Sequence, residues 1–441
     1  MRKTTSVSAL LTAALAAVAA AAAVTVVSAA VPSPTPDTLH GYNISDTYVS
    51  GVSSGGYMAN QLHVAYSSVF SGAGIFTAGP YRCAGDFDYA VTAQNGCMQN
   101  GSRKSPAELE AATRSLADSG KVDAVADLSG SPVYLYHGTS DNTVLQAVND
   151  DLATYYSGLG ANVTYNKATA AGHAWVSPLG PVACSDTQSP FVNKCGNDPE
   201  KDMLTTLMGS VSAPATSLGG KLVQFDQNAY APGGDANAIS MDAKGFAYIP
   251  QPCSDGASCR LMVALHGCKQ GFDYQSFGDT FMKDAYLNEY ADTNNMIVLY
   301  PQAIPLSTAN TTNPNGCWNW WGYGGDAAYA WHGGKQIEAI MGMVRKLSGG
   351  QTPPTTTVPP TTTVPPTTTP PTTTPPTTTP PTTTPTPTCI TDTNYAHTTA
   401  GRAHTSNGYA YANGSNQNLG LWNVFIKSTL KETSPGYWEK C

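Results

Sequence analysis

Charged residues are scarce in this sequence, and acidic ones outnumber basic ones. Only 12% of the 441 residues are charged, with 22 Lys and Arg against 30 Asp and Glu, which gives a formal net charge of −8. A protein that binds nucleic acid needs a clustered basic surface to neutralise phosphates. The composition therefore argues against a nucleic-acid partner.

The sequence also lacks the short motifs of common zinc sites. It contains neither a Cys-x-x-Cys pair nor a His-Glu-x-x-His pattern, and these are the spacings that usually mark such sites. We therefore expect no metal and no organic cofactor, so that any chemistry depends on ordinary side chains.

The first thirty residues have the pattern of a secretory signal. Arg2 and Lys3 form a short basic region, an Ala, Leu and Val run follows, and small residues end it at 27–30. A transmembrane anchor is the alternative, because the run is long enough to span a bilayer. Alanine inserts weakly, however, and the cleavage pattern is good. Residues 1–30 are therefore predicted to be the signal peptide of a secreted, extracellular protein without a membrane partner.

Ten cysteines, an even number, fit export to an oxidising compartment. The sequence does not fix their connectivity. Proximity along the chain suggests five pairs: Cys83 with Cys97, Cys184 with Cys195, Cys253 with Cys259, Cys389 with Cys441, and the remaining Cys268 with Cys317.

Repeats of the form PPTTT separate two parts of the chain. Residues 351–388 have few apolar side chains to bury, and their prolines favour extended polyproline II, so we interpret them as a linker. Residues 31–350 are long enough for one α/β domain. Residues 389–441 form a small module, which needs a staple such as a disulfide between its two ends.

Apolar runs alternate with amphipathic stretches in the larger part. Strands are predicted within 46–53, 72–79, 131–138, 162–169, 245–250, 259–267 and 295–302, and helices within 55–66, 106–117, 149–160 and 335–347. Strands separated by helical patterns predict a mostly parallel sheet with helices on both faces.

A candidate nucleophile lies between the first of these strands and its helix. Residues 51–55 read Gly-Val-Ser-Ser-Gly, the G-x-S-x-G pattern of a strained turn that exposes a serine hydroxyl. The pentapeptide alone is a weak signal in a chain with 42 glycines. The flanking strand and helix strengthen the prediction that Ser53 is the nucleophile.

Candidate partners for Ser53 follow in the order acid, then base. A serine hydroxyl needs a base to take its proton and a carboxylate to orient that base. Asp141 follows one predicted strand and His173 follows the next, which is the order of α/β hydrolases. Asp150 and Asp151 are rival acids, but they lie further on, where a helix begins. The other histidines fit less well by position: His40, His63, His137, His266, His332, His397 and His404.

The expected oxyanion loop is missing from its usual place before the nucleophile. One amide donor should come from the residue after the nucleophile, Ser54, and the other from a His-Gly loop after an early strand. No such loop after a strand lies upstream of Ser53, but downstream a predicted buried strand ends in His266-Gly267-Cys268. If residues 221–345 supply the strands that usually come first, the chain is a circularly permuted α/β hydrolase, because permutation leaves strand neighbours unchanged.

These motifs together resemble extracellular poly(3-hydroxybutyrate) depolymerases of the permuted type. The resemblance rests on GVSSGGYM, HGTSDNTV, AGHAW, LHGCKQ and CWNWW. It implies Ser53 as nucleophile, Asp141 as orienting acid and His173 as base. It also implies that the amides of Ser54 and Cys268 form the oxyanion hole. A tryptophan of CWNWW should lie beside the site, and the candidates are Trp318, Trp320 and Trp321.

The tail resembles the substrate-binding module that these enzymes carry behind a linker. We expect a β-rich fold in residues 389–441, with aromatic and apolar side chains that adsorb to a solid polyester. The candidate contacts are Arg402, His404 and Ser406 for ester carbonyls, and Tyr409 and Trp422 for apolar surface. A carbohydrate-binding module is the alternative, because aromatic platforms also suit sugars.

The predicted function is a secreted serine esterase. It would hydrolyse insoluble poly(3-hydroxybutyrate) or related short-chain polyhydroxyalkanoates as a monomer. A feruloyl or acetylxylan esterase with a carbohydrate-binding module is the enzymatic alternative. A granule-binding protein with a decayed triad is the non-enzymatic one.

Overall fold

The computed structural model describes residues 29–85, 93–308, 311–350, 389–406, 409–421 and 427–441. Most of the predicted signal peptide, the predicted linker and Trp422 lie outside the described residues. The chain divides into two compact units, Met1–Thr357 and Val358–Cys441.

Strands and helices alternate along the first unit, as the apolar pattern predicts. The central-sheet strands are β1 (Thr35–Pro36), β2 (Ile44–Val52), β3 (Phe70–Phe76), β4 (Pro132–Tyr136), β5 (Asn162–Asn166), β9 (Lys221–Asp226), β10 (Lys244–Ile249), β11 (Cys259–Leu265) and β12 (Met296–Tyr300). The remaining strands are β6 (Trp175–Val176), β7 (Val182–Ala183), β8 (Val192–Lys194), β13 (Leu306–Thr308) and β14 (Thr311–Asn313). The helices are α1 (Ser54–Ala65), α2 (Pro106–Asp118), α3 (Gln146–Gly158), α4 (Pro199–Met208), α5 (Gln251–Ser254), α6 (Thr280–Asp284), α7 (Leu287–Thr293) and α8 (Lys335–Leu347).

The order of strands in the central sheet confirms the permuted arrangement. The order is β1-β9-β10-β12-β11-β2-β3-β4-β5. Strand β10 runs antiparallel to both of its neighbours, and every other pairing in this sheet is parallel. The late strands β9 to β12 therefore supply one half of the sheet, and the early strands β2 to β5 supply the other half.

The register between the two halves places the ends of two distant strands together. Strand β11 pairs in parallel with β2, and Leu265 lies opposite Gly51. Parallel strands end at the same edge of a sheet, so the loop after β11 and the turn after β2 emerge side by side.

Apolar residues cover both faces of the sheet. Along β11, Leu261, Val263 and Leu265 belong to one buried cluster, while Met262 and Ala264 belong to a second. Side chains alternate between the faces of a strand, and a parallel sheet needs both faces covered. Helices α1, α2, α3 and α8 contribute to the first cluster, and α4, α6 and α7 contribute to the second. In the part of the chain that the structure describes, no helix is both long and apolar enough to cross a membrane.

All five cysteine pairs suggested by sequence proximity are disulfides in the structure. The bond between Cys268 and Cys317 joins the loop after β11 to the segment that begins at Trp318. The bond between Cys389 and Cys441 joins the two ends of the second unit, as expected for a small module.

The second unit is β-rich, as predicted. Its elements are β15 (Ile390–Thr393), α9 (Asn394–Thr399), β16 (Ala403–Ser406), β17 (Tyr409–Ala412), β18 (Asn418–Leu421), β19 (Lys427–Ser434) and β20 (Tyr437–Lys440). Two three-stranded antiparallel sheets form, in the orders β15-β19-β20 and β16-β17-β18. Its small buried cluster consists of Ala403, Ala410, Ala412, Leu419 and Leu430.

Candidate active site

Ser53 occupies a strained turn between β2 and α1. Its backbone has φ 55° and ψ −122°, a conformation that residues other than glycine rarely adopt. The Ser53 amide donates a hydrogen bond to the carbonyl of Phe76, over 3.0 Å. The neighbouring strand β3 therefore helps to hold the turn that presents the hydroxyl.

Two glycines permit this turn because they lack side chains. A Cβ atom on Gly51 would lie 2.3 Å from the carbonyl oxygen of Gly55. A Cβ atom on Gly55 would lie 2.2 Å from the carbonyl oxygen of Leu265, the last residue of β11. The first and last glycines of the G-x-S-x-G pattern are thus required by backbone contacts within the turn and between the turn and β11.

The three predicted catalytic side chains form a hydrogen-bonded chain. His173 Nε2 lies 2.8 Å from Ser53 Oγ, and His173 Nδ1 lies 2.8 Å from Asp141 Oδ2. Asp141 is on the loop after β4, and His173 is on the loop after β5. This geometry fits a base that takes a proton from the serine while a carboxylate orients it.

Asp141 is buried, and several donors stabilise its charge. Its Oδ1 atom accepts hydrogen bonds from the amides of Thr143 and Val144, over 2.8 and 3.0 Å. Its Oδ2 atom accepts from His173 Nδ1 and from the hydroxyl of Thr77. Burial by itself would raise the pKa of Asp141, but the His173 ring and these hydrogen bonds together lower it below the ordinary value.

The loop that carries His173 is held from both sides. The His173 amide donates to Thr187 Oγ1 over 2.9 Å, and the Gly172 amide donates to the carbonyl of Cys184 over 2.8 Å. Cys184 is in turn bonded to Cys195. These contacts fix the position of the imidazole relative to the end of the sheet.

The loop after β11 meets the Ser53 turn. A Cβ atom on Gly267 would lie 3.4 Å from Ser53 Cβ, so the two backbones approach closely. This contact supports the expectation that the late His-Gly loop lies beside the early nucleophile. The donor roles of the Ser54 and Cys268 amides remain predictions.

His266 and Trp318 stabilise the loop after β11 through buried hydrogen bonds. The buried His266 ring donates from Nδ1 to the carbonyl of Gly267 and accepts at Nε2 from the amide of Ala303, over 2.7 and 3.0 Å. Burial lowers the pKa of His266 to about 4, so the ring is neutral near pH 7. The indole of Trp318 donates to the carbonyl of His266 over 3.0 Å.

Gln270, which the sequence analysis did not single out, bridges two loops of the site. Its Oε1 accepts from the amide of Gly267 over 2.7 Å, and its Nε2 donates to the carbonyls of Pro190 and Phe191 over 2.9 and 3.2 Å. The loop after β11 is thereby tied to the segment that follows Thr187. Gln270 is the last residue of the LHGCKQ motif, but the motif does not indicate this role, which only the long-range contact reveals.

Comparison with known proteins identifies the family. The chain is 38% identical to "Poly(3-hydroxybutyrate) depolymerase" from Delftia acidovorans, over 89% of this chain and 92% of that protein. It is 39% identical to "Polyhydroxybutyrate depolymerase" from Talaromyces funiculosus, over 70% of this chain and 91% of that protein. The chain belongs to the poly(3-hydroxybutyrate) depolymerase family. No family model matches it.

A solved structure of a polyhydroxybutyrate (PHB) depolymerase agrees with this assignment. That protein carries a serine-to-alanine substitution and is complexed with an R3HB trimer. It superimposes with a TM-score of 0.64 at 35% identity, over 71% of this chain and 99% of that one. The likeness supports the same fold in both members of the family.

The three candidate tryptophans have different surroundings in this family member. Trp318 is fully buried and donates to the loop after β11, so it lies beneath the site. Trp320 stacks on Tyr57 with ring centroids 4.2 Å apart, and Tyr57 lies one helical turn after Ser53. Trp321 packs edge-on against Trp320 at 5.1 Å. Trp320 and Trp321 are buried as well, with 6% and 8% of their surfaces exposed, and substrate contact by any of the three stays a prediction.

The polar tail residues with described side chains already have partners within the module. Arg402 donates to Asp392 over 2.8 Å and to His397 over 2.9 Å. His404 is exposed, contacts Asn413 at 2.9 Å and stacks on Tyr411. In the backbone register of β16 and β17, Ser406 pairs with Tyr409 and His404 pairs with Tyr411.

His404 and Tyr411 share one face of the β16–β17 hairpin, because residues directly opposite each other in an antiparallel pair lie on the same face. Ala403, Ala410 and Ala412 lie on the opposite, buried face. Arg402 acts within the module, through Asp392 and His397. In the described parts of the chain, no group of three or more His, Cys, Asp or Glu side chains is arranged to hold a metal ion.

Proposed function

We propose that this protein hydrolyses the ester bonds of insoluble poly(3-hydroxybutyrate) and close short-chain polyhydroxyalkanoates. The observation that carries the proposal is the chain of hydrogen bonds from Ser53 through His173 to Asp141, in a member of the depolymerase family. The established names of the relatives and the bound R3HB trimer of the solved neighbour support the substrate.

Ser53 begins the reaction by attacking the carbonyl carbon of an ester unit. His173 Nε2 accepts the serine proton, and the ring becomes a positively charged imidazolium. Asp141, which contacts His173 Nδ1, stabilises that charge. The carbonyl oxygen becomes an anion, and the amides of Ser54 and Cys268 donate hydrogen bonds to it. One such donor typically lowers the barrier by roughly 3–4 kcal/mol.

The tetrahedral intermediate then collapses. The ester C–O bond breaks, and His173 gives its proton to the departing alcohol end of the polymer. The acyl end stays on Ser53 Oγ until a water, deprotonated by His173, attacks the same carbonyl carbon. Breaking the Ser53 ester returns the proton from His173 to the serine oxygen and releases the carboxylic acid.

The second unit adsorbs to the solid polymer, in our proposal, through the face of the β16–β17 hairpin that carries the exposed His404. The linker keeps the enzyme near the surface and raises its effective concentration there. Five disulfides support work in an oxidising, extracellular environment. We expect the protein to be a secreted monomer.

The experiment is the loss of turbidity of a poly(3-hydroxybutyrate) suspension with the full chain and with Ser53→Ala. We expect clearing with the unaltered chain and none with the variant, while the variant still binds granules. Unchanged hydrolysis by Ser53→Ala would contradict the assignment. Clearing of esterified xylan alone would replace the proposal with the xylan esterase alternative.

A further inference from the structure

Thr77 adopts a backbone conformation that is unfavourable for its residue type. It directly follows β3 and has φ 47°, in the left-handed region. A β-branched residue with positive φ is a genuine outlier, because its side chain clashes with the backbone in this region. Such strain persists only where surrounding contacts determine the backbone, and it concentrates at functional sites.

The contacts around Thr77 fix its backbone on three sides. Its amide donates to the carbonyl of Tyr136 over 2.8 Å, at the end of β4. The preceding carbonyl, of Phe76, accepts the amide of Ser53, and the following amide, of Ala78, donates to Asn149 Oδ1 over 3.2 Å. The strained residue therefore lies between the nucleophile turn and the strand that leads to Asp141.

The strained backbone brings the Thr77 hydroxyl between the acid and the base. The hydroxyl donates to Asp141 Oδ2, and its oxygen lies 3.0 Å from His173 Nδ1. His173 Nδ1 is also 2.8 Å from Asp141 Oδ2, so the three groups form a closed triangle of hydrogen bonds. Thr77 is buried, and water does not compete freely for these contacts.

We propose that Thr77 is a positioning residue that holds the Asp141–His173 pair in its reactive geometry. The inference rests on the proposed function, because it assigns a role within the same site. The Nδ1–H of His173 is shared between the carboxylate and the Thr77 oxygen, which restricts rotation of the ring. The hydroxyl also fixes the carboxylate oxygen that faces the ring, while the amides of Thr143 and Val144 fix the other.

The branched side chain suits this role better than an unbranched one. Two heavy atoms on Cβ restrict χ1, so the hydroxyl has fewer directions in which to point than a serine hydroxyl has. The hydroxyl reaches both Asp141 and His173 from a backbone with positive φ, so this placement destabilises the local backbone.

The experiment compares Thr77→Val with Thr77→Ser in the full chain, using the soluble ester p-nitrophenyl butyrate. Valine keeps the shape and the β-branch but loses the hydroxyl, whereas serine keeps the hydroxyl. We expect Thr77→Val to lower kcat roughly 10- to 100-fold, the effect of one hydrogen bond to a charged group, with KM within about twofold. Thr77→Ser should recover most of kcat.

The pH profile of kcat/KM supplies a readout that a merely structural role would not move. The Thr77 hydroxyl is one of the groups that lower the pKa of Asp141, so its loss should move the acidic limb of the profile to higher pH in Thr77→Val but not in Thr77→Ser. The other titratable groups near Asp141 are His137, whose Nε2 lies 3.9 Å from Oδ2, and Tyr57. Neither His137 nor Tyr57 is substituted in Thr77→Val or Thr77→Ser, so a difference between the two profiles reports on the Thr77 hydroxyl.

Three results would overturn the proposal: full kcat in Thr77→Val, equal loss in both variants, or a kcat loss matched by loss of folded protein in urea unfolding. Ser53→Ala in parallel separates this proposal from the proposed function. If Ser53→Ala is inactive and Thr77→Val is fully active, only the role of Thr77 fails. If Ser53→Ala is active, the proposed function fails first.

Discussion

The single side-chain amide of Gln270 connects the loop after β11 with the segment at Pro190 and Phe191. That segment follows Thr187, which accepts a hydrogen bond from the His173 amide. Replacing Gln270 by methionine would leave the Gly267 amide and two carbonyls without their partner. We expect Gln270→Met to lower the free energy of unfolding by about 1–3 kcal/mol. Because Gly267 precedes the predicted oxyanion donor, kcat on a soluble ester should fall roughly tenfold as well.

Gln227 offers a matched control for that prediction. Its buried amide accepts from the backbone of Gln302 and donates to the carbonyls of Asp242 and Gln302, the same bonding pattern as Gln270. Gln227→Met should lose comparable stability and keep kcat within about twofold. Equal loss of kcat in the two variants would show that Gln270 acts only through stability.

His332 should give the stability of the protein a measurable pH dependence. Burial alone would lower the pKa of its ring, but Asp123 at 3.3 Å and the carbonyl of Ala65 at 2.5 Å together raise it. The contribution of the charged His332 ring to the stability of the fold is therefore complete below about pH 6.5, the ordinary pKa of histidine. It is lost as the pH rises through the pKa of His332 in the folded protein. The effect should stay below about 1 kcal/mol, because the pair is partly exposed.

Urea unfolding between about pH 6 and 9 checks this prediction, with His332→Gln as the variant. Burial lowers the pKa of His63 to about 3 and that of His266 to about 4, so both histidines destabilise the fold as the pH falls below about 6.5. Both proteins contain these two histidines, so the difference between the two stability curves isolates His332. An unchanged slope of stability against pH in His332→Gln would contradict the assignment.

Some site residues could be predicted one by one, and others could not. Ser53 and Asp141 each follow a mostly buried strand, and His173 follows the next strand along the chain, which gives the usual order of a serine hydrolase triad. Thr77 is an ordinary threonine in the sequence, because its importance comes from a backbone angle and from two residues far along the chain. Gln270 was missed for a similar reason.

The disulfide between Cys268 and Cys317 connects two elements, the loop after β11 and the Trp318 segment. A typical disulfide contributes about 2–4 kcal/mol to stability. We expect replacement of both cysteines by serine to lower turnover of polymer more than adsorption to granules, because the loop beside Ser53 becomes looser. Parallel binding and turbidity assays measure the two effects, and equal loss of both would contradict this role.

Elements with long apolar runs were predictable, and very short ones were not. Strands β2, β11 and β12 have five to nine residues of mostly buried side chains, which is a clear pattern. Strands β1, β6 and β7 have two residues each, too few for any periodicity. They form because tertiary contacts bring the backbones together.

At the scale of the whole molecule, the division into two units predicts separable activities. A chain that ends at residue 350 should turn over a soluble ester as fast as the full chain, because the site lies entirely in the first unit. Its clearing of solid polymer should be slower, roughly 10-fold or more at low enzyme concentration, since adsorption and its effective-concentration gain are lost.

The soluble ester serves as the internal control in that comparison. Equal rates on the solid for both chains would show that residues 389–441 do not promote adsorption. A parallel loss on the soluble ester would show instead that the shortened chain is damaged.

The arrangement of the central sheet also sets the sequence of events during synthesis. The serine turn leaves the ribosome early, but its partner strand β11 and the following loop are made about two hundred residues later, as the numbering of Ser53 and Cys268 requires. An unfinished chain therefore carries a serine without the backbone that supports it. The esterase can exist only once the far half of the sheet has been made and has closed against the near half.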